Sequence, residues 1–251
     1  MHLAMRAMRK VPEVTIYFWI IKLLSTAMGE STSDYLVYHI NPYFAVALGT
    51  IGLIASLVLQ LLVRRYVAWI YWLAVVMVAI FGTMAADVLH IVFGIPYLVS
   101  TVFFAVVLAV IFVVWYRTEK TLSIHSINTP RRELFYWATV IATFALGTAA
   151  GDMTAATLGL GYFSSGVLFA VLFAVPALAY RFFGLNAIVA FWFAYIMTRP
   201  LGASFADWFG KPILGGLGLG DTKVALVLTI LIIGFVGYLT VTRKDIKDVP
   251  R

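Results

Sequence analysis

The chain contains no cysteine, which excludes disulfides and thiolate metal sites. Charged residues are scarce as well: they make up 12% of the 251 residues, about half the share in a soluble domain. Hydrophobic residues make up 63%. Apolar runs of roughly 20 residues recur, the length that an α-helix needs to cross about 30 Å of hydrocarbon. The composition therefore predicts a multi-pass membrane protein whose main partner is the lipid bilayer. The formal charge of +7 does not indicate nucleic acid, because the basic residues are dispersed over short loops and the chain ends.

The apolar runs divide the chain into eight predicted transmembrane helices. They cover 12–39, 43–63, 68–93, 97–116, 133–158, 162–180, 185–208 and 222–241. The prediction is an all-α membrane protein with a single membrane domain, 1–251. Trp69, Trp72 and Trp115 are expected at the membrane interface or facing lipid.

Lysine and arginine indicate the orientation, because cytoplasmic loops carry an excess of them. One side of the predicted membrane holds Arg6, Arg9, Lys10, Arg64, Arg65, Arg117, Lys120, Arg131, Arg132, Arg181, Arg243, Lys244, Lys247 and Arg251. The other side holds only Lys211 and Lys223. Both termini are therefore predicted to be cytoplasmic.

One sequence motif recurs in the four odd-numbered spans: a glycine, a small residue four positions later, and then an aspartate. The glycines are Gly29, Gly82, Gly147 and Gly202, and the aspartates are Asp34, Asp87, Asp152 and Asp207. The small-xxx-small spacing predicts close helix packing at the glycines. Four occurrences at one offset indicate internal duplication into four parallel hairpins, approximately 12–63, 68–116, 133–180 and 185–241.

The four aspartates are predicted to converge on a polar site in the outer third of the membrane. A carboxylate inside a membrane helix costs several kcal/mol unless it is neutralised, paired or hydrated. Glu30 lies on the same helix face as Asp34, so it is expected to add a ligand or carry a proton. In the alternative interpretation, each aspartate only caps or hydrogen-bonds its own helix near the outer interface.

Two bases also lie within spans, Lys22 and Arg199. We expect both to pair with the buried acids, with direct substrate contact as the alternative. Pro200 follows Arg199 and predicts a broken helix, because proline removes a backbone hydrogen bond. Five acids against two bases leave negative charge that protons or cations must balance.

These residues predict a transporter, with proton-coupled export of a divalent cation through Asp34, Asp87, Asp152 and Asp207 as the leading hypothesis. Oxygen ligands suit Mg²⁺, Mn²⁺ or Ca²⁺, and the cation would be the substrate, with no certain cofactor. The alternative is transport of a small anionic metabolite bound by Arg199. The sequence does not indicate an oligomeric state.

An enzymatic alternative comes from Gly218-Leu219-Gly220-Asp221, which resembles the Gly-x-Gly-Asp signature of intramembrane aspartyl proteases. Such an enzyme needs a second carboxylate, for which Asp207 or Asp152 could serve. The equivalent turn Gly159-Leu160-Gly161-Tyr162 has tyrosine in place of the aspartate, so the repeat explains the glycines. The protein is therefore not expected to be an enzyme.

Several phrases together resemble a family of bacterial multi-pass membrane proteins described only as uncharacterised or membrane-anchored. They are Lys10-Val11-Pro12-Glu13-Val14-Thr15 leading to Phe18-Trp19, Lys22 with Gly29-Glu30, Phe135-Tyr136-Trp137-Ala138-Thr139, and Thr198-Arg199-Pro200-Leu201-Gly202-Ala203-Ser204. The resemblance covers nearly the whole chain and implies a location in the bacterial inner membrane. In that family a hydroxyl residue is common at the position of Asp221, which argues against the protease.

Overall fold

The computed structural model describes residues 9–246, which are helical and contain no β-strand. Eight long helices, α1 to α8, cover Ile16–His39, Pro42–Leu62, Ala68–Asp87, Tyr97–Glu119, Pro130–Asp152, Gly161–Phe183, Ala187–Gly210 and Asp221–Thr242. Seven of them, all except α1, are long and apolar enough to cross a membrane. The predicted class of multi-pass helical membrane protein is therefore confirmed. Arg6, Lys247 and Arg251, on which the predicted orientation partly depends, lie outside the described residues.

Helix α1 differs from the others because polar residues interrupt it. Its 24 residues would span about 36 Å, but Lys22, Glu30 and Asp34 lower its hydropathy. All three side chains are buried inside the protein. The helix therefore has the length of a span, and its polar residues face other helices.

Capping residues explain where the helices begin. The Thr15 hydroxyl accepts a hydrogen bond from the Phe18 amide, so α1 begins at Ile16 and not at residue 12 as predicted. The Thr129 hydroxyl accepts from the Arg132 amide, and Pro130 occupies the first turn of α5, which thus begins three residues earlier than predicted.

Two of the motif helices end in an unusual way. Helices α3 and α5 continue into a single π-helical turn, Val88–Val92 and Met153–Thr157 respectively. Each turn begins immediately after a motif aspartate, Asp87 or Asp152. Such π turns occur frequently at functional sites. In α1 and α7 the α-helix continues past the aspartate.

The four odd-numbered helices form a closed ring, in which each packs against two of the other three. Each carries an aromatic residue followed by tryptophan, with the tryptophan ten positions before the motif glycine. The aromatic residue of one helix contacts the tryptophan of the next, with ring centroids 5.7 Å apart for Phe18–Trp72 and Tyr71–Trp137, 6.2 Å for Tyr136–Trp192 and 5.7 Å for Phe191–Trp19. Since the same contact recurs at every interface, the four helices are parallel and in register.

A second set of contacts repeats around the ring at the motif glycines. A Cβ atom added to Gly29, Gly82, Gly147 or Gly202 would lie 2.4 Å from Ala79 Cβ, 2.8 Å from Phe144 Cβ, 2.4 Å from Arg199 Cγ or 2.0 Å from Thr26 Oγ1, respectively. Each contacted residue lies three positions before the motif glycine of the neighbouring helix. Only glycine permits this approach, so the four glycines set the spacing of the ring.

The even-numbered helices surround the ring and pack mainly on the following repeat. Helix α2 packs chiefly on α3, α4 on α5, α6 on α7, and α8 on α1. A short turn fixes only the antiparallel direction of two consecutive helices, whereas the ring decides where the second helix is buried. The outward faces of these helices expose apolar residues, as expected for contact with lipid.

Two tryptophans that were expected at the membrane surface lie in the interior instead. Trp72 and Trp115 are 1% and 0% exposed, and only Trp69, at 48%, is at the surface. Trp72 belongs to the repeated aromatic layer. Trp115 stacks on Phe135, because α4 packs against α5.

Residues near both ends of the chain tie together the end of the ring opposite the aspartates. The Lys10 ammonium forms an ion pair with Glu133, which is fully buried and also accepts a hydrogen bond from Gln60 Nε2. The Tyr66 hydroxyl donates to the Asp245 carboxylate. These contacts join segments that are far apart in sequence and close this end of the ring.

Candidate functional site

The Arg199 side chain extends from α7 into the ring and is 0% exposed. Its Cβ and Cγ atoms pass over Gly147, where a methyl group would collide with them. The sequence therefore makes room for the guanidinium with a glycine of the neighbouring repeat.

The guanidinium binds one residue from each of the other three ring helices. Its Nη2 atom lies 2.5 Å from Glu30 Oε2 and 2.6 Å from the Thr148 hydroxyl oxygen, and it also contacts the hydroxyl oxygen of Thr83. These three partners immediately follow the motif glycines of α1, α3 and α5. The four helices are thus joined at one level by a single charged group.

An acidic group begins at Glu30, beside Arg199, and extends one to two turns beyond it. Glu30, Asp34 and Asp207 each offer a carboxylate oxygen, and these oxygens lie within 4.8 Å of one another. All three side chains are buried. Among the described residues, this is the group of acids and histidines with a spacing suited to a metal ion.

Lys211 supplies a positive charge to this group. Its Nζ atom lies 2.9 Å from Asp34 Oδ2 and 2.8 Å from Asp207 Oδ1. Burial lowers the pKa of Lys211, but the carboxylates of Asp207 and Asp34 raise it by more, so the pKa lies above its ordinary value. Lys211 is therefore a cation at neutral pH. The apolar pattern predicts only an outer-side position for Lys211, although its spacing of four residues from Asp207 is a signal for pairing.

The family model of a single repeat matches the chain four times, over 17–66, 70–121, 135–185 and 190–245. The chain belongs to the family described as Repeat of Unknown Function (DUF347). The internal repetition is therefore confirmed, and the resemblance to an uncharacterised family agrees with it. No curated protein and no solved structure matches the chain.

The four DUF347 repeats do not contribute equally to the acidic group. Asp87 and Asp152 are half-buried and interact electrostatically with Glu30 and Asp34. They lie outside the cluster with metal-ligand spacing, so the structure does not unite the four predicted metal ligands in one set. The aspartates of repeats one and four, Asp34 and Asp207, lie close together because both form ion pairs with Lys211.

Lys22 does not have the acidic partner that was expected. Its ammonium lies 3.9 Å from the ring centroid of Phe144 and 4.2 Å from that of Tyr195, and it has no hydrogen-bond partner among the described residues. Glu30 is eight residues further along α1, about 12 Å away along the axis. Arg199 pairs with Glu30, so the aromatic rings are the contacts that remain for Lys22.

Pro200 does not break its helix as expected. Helix α7 is continuous from Ala187 to Gly210, and Pro200 packs against Gly147. The nearby Thr198 carbonyl accepts a hydrogen bond from the Thr26 hydroxyl at 3.1 Å.

The chemistry of the acidic group fits a hard cation. Its carboxylates are oxygen ligands, which Mg²⁺, Mn²⁺ and Ca²⁺ prefer. Ser31 and Ser204 lie one turn before Asp34 and Asp207, and both hydroxyls are buried without a hydrogen-bond partner. They could supply further oxygen ligands. Asp221, named for the protease alternative, begins α8 and lies against Gly210.

Proposed function

We propose that this protein is a transporter that exports a divalent cation of the Mg²⁺, Mn²⁺ and Ca²⁺ class in exchange for protons. The observation that carries the proposal is the convergence of Glu30, Asp34 and Asp207 within 4.8 Å, inside a ring of membrane-type helices. Carboxylates in such surroundings are costly, and in membrane proteins they mark ion and proton pathways.

We place the protein in the bacterial inner membrane with all eight helices spanning and both termini in the cytoplasm. The arrangement is four parallel hairpins around an axis normal to the membrane. It is supported by the register of the odd-numbered helices and by the basic residues on one side of the predicted spans. The acidic group then faces the outside.

The charge of the site favours exchange of one divalent cation for two protons. The acidic group has three carboxylates, those of Glu30, Asp34 and Asp207, beside the Arg199 guanidinium. When these groups are ionised and Lys211 is not paired with them, the site carries two negative charges, which one divalent cation or two protons neutralise. A membrane potential that is negative inside opposes export by about 2.3 kcal/mol per charge per 100 mV, so export needs a driving ion such as the proton.

The layer around Arg199 would be the barrier that every transporter needs between its two sides. It joins all four ring helices and separates the acidic group from Lys22. Glu30 belongs both to this layer and to the acidic group, so loss of its pairing with Arg199 would connect cation binding to opening of the barrier.

Anion transport through Arg199 has one observation in its favour. The Nε and Nη1 atoms of Arg199 are buried and have no hydrogen-bond partner among the described residues. A metabolite carboxylate, however, would compete with Glu30 for the guanidinium. Reconstituted protein distinguishes the two functions, because loss of anion uptake with Arg199→Lys, without any effect of Mn²⁺, would favour the anion.

The test of cation binding uses the purified protein and Mn²⁺. We expect Mn²⁺ to raise the melting temperature of the wild type and to have little effect on Asp34→Asn or Asp207→Asn. Asp221→Asn is the matched control, because it removes an acid near the same end of the molecule but outside the cluster.

Transport is then measured in proteoliposomes. An imposed proton gradient should drive Mn²⁺ in the opposite direction in wild type and not in Asp207→Asn. Indifference of the melting temperature to Mn²⁺, Mg²⁺ and Ca²⁺ at millimolar concentration would remove the proposal.

A further inference from the structure

We propose that Lys211 is a tethered cation that occupies the proposed cation site and must leave it before an inorganic cation binds. This inference rests on the proposed function. It assigns a specificity-determining role to a residue outside the repeated Gly-to-Asp phrase.

The position of the ammonium supports this role. Lys211 Nζ lies between Asp34 and Asp207, two of the three acids with metal-ligand spacing, at 2.9 Å and 2.8 Å from their oxygens. An inorganic cation bound to the same carboxylates would lie within a few ångströms of the ammonium. Their repulsion in a buried site would be large, so the two cations exclude each other.

The loop after α7 holds the backbone of Lys211 in place. This loop, residues 211–220, folds back so that the amides of Leu217, Leu219 and Gly220 donate to the carbonyls of Trp208, Phe209 and Gly210. These carbonyls have no partner within α7 because the helix ends there. The Gly218 amide donates to the carbonyl of Lys211 itself.

The loop is also attached to a neighbouring helix. The Leu214 carbonyl accepts from the Tyr162 amide at the start of α6. Gly215, Gly218 and Gly220 adopt positive φ angles that permit the tight path of the loop. Because the backbone is secured in this way, the long side chain is the part that can move out of the site.

Displacement of lysine favours a divalent cation. A monovalent ion that replaces the ammonium leaves the charge of the site unchanged, whereas a divalent ion adds one positive charge next to carboxylates. Lys211 would thus lower the apparent affinity for all cations and discriminate against monovalent ones.

Binding measurements on two lysine variants provide the test. We expect Lys211→Met to bind Mn²⁺ with an apparent Kd about tenfold lower than wild type, because no lysine has to be displaced. Lys223→Met is the matched control, since Lys223 is an exposed lysine in the first turn of α8, near the same end of the molecule. Its Kd should equal that of the wild type.

A second measurement uses the unaltered protein, so it does not depend on the folding of a variant. Saturating Mn²⁺ should increase the rate at which an amine-reactive reagent modifies Lys211, measured by mass spectrometry, with Lys223 as the internal reference. A lysine that is only structural would not become more reactive.

The outcomes separate this inference from the function on which it rests. If wild type binds Mn²⁺, but Lys211→Met binds no more tightly and the reactivity of Lys211 does not rise, the inference is overturned and the proposed function stands. If neither protein binds Mn²⁺, both are overturned.

Discussion

Glu30 of α1 and Arg199 of α7 form a buried ion pair, with Oε2 and Nη2 2.5 Å apart. Hydroxyl groups of α3 and α5 complete the surroundings of the guanidinium. The pair therefore joins the first and last repeats at the level where all four ring helices meet.

Removal of one partner of this pair should be more harmful than removal of both. Arg199→Met leaves Glu30 buried without a counter-charge, and we expect a loss of about 3–5 kcal/mol in the free energy of unfolding. The double variant Glu30→Gln/Arg199→Met should recover part of that loss. Thermal or denaturant unfolding in detergent measures the coupling, and strictly additive effects of the two substitutions would contradict it.

The four motif glycines lie in close contact with neighbouring helices, so the effect of a glycine-to-alanine substitution on stability should depend on its position. Gly29→Ala would place a methyl group 2.8 Å from the backbone carbonyl carbon of Ala79, which cannot easily move, and should cost about 1–3 kcal/mol. Gly237→Ala in α8 is the matched control, because nothing lies within 4 Å of its added Cβ. The control should be stabilised by about 0.5–1 kcal/mol. Equal melting temperatures for the two variants would show that the glycines do not set the ring spacing.

Lys22 should be dispensable for stability. Its ammonium is buried with aromatic rings as neighbours, and their attraction is smaller than the cost of removing the charge from water. We expect Lys22→Met to leave the free energy of unfolding unchanged or to raise it by up to about 2 kcal/mol. A clear fall in melting temperature, with no change in Lys223→Met, would mean that Lys22 has a structural partner.

Asp245, at the end of the ring opposite the aspartates, should make the free energy of unfolding depend on pH. Burial raises its pKa, and the hydrogen bond from Tyr66 only partly offsets this. The folded state therefore binds the Asp245 proton more tightly than the unfolded state. Its stabilising contribution is complete below the ordinary carboxyl pKa and is lost as the pH rises through the raised pKa.

Melting curves between about pH 4 and pH 8 test this sign. Asp245→Asn cannot ionise, so its melting temperature should fall less over this range than that of wild type. Tyr66→Phe removes the hydrogen bond that lowers the pKa and should move the fall to higher pH. Identical pH profiles for wild type and Asp245→Asn would contradict the assignment.

Much of the fold was predictable from local signals. Apolar runs of helical length identified all eight helices within a few residues, and the starts of α1 and α5 were missed by four and three residues because the capping side chains of Thr15 and Thr129 set them. The repetition was also readable from the glycines. A further signal in the sequence is the aromatic-tryptophan pair before each motif glycine, which places Trp72 in the core.

The site was less predictable, because its contacts depend on which helices become neighbours. The positions of Glu30 and Arg199 in the sequence do not indicate that these two residues form an ion pair, or that Lys22 contacts aromatic rings instead of an acid. Lys211 lies in a loop, and hydropathy assigns such a residue to the surface. Its entry between Asp34 and Asp207 depends on the fold-back of residues 211–220.

The packing of each even-numbered helix on the following repeat means that no single hairpin is a complete structural unit. A chain cut between Lys120 and Thr121 would separate α4 from its main partner α5, and α8 from α1. Each fragment would expose two helix surfaces that normally pack against the other fragment. These surfaces would be buried again only if the two fragments reassociate. A single hairpin would have the same two unburied surfaces, and four copies of it would be needed to close the ring.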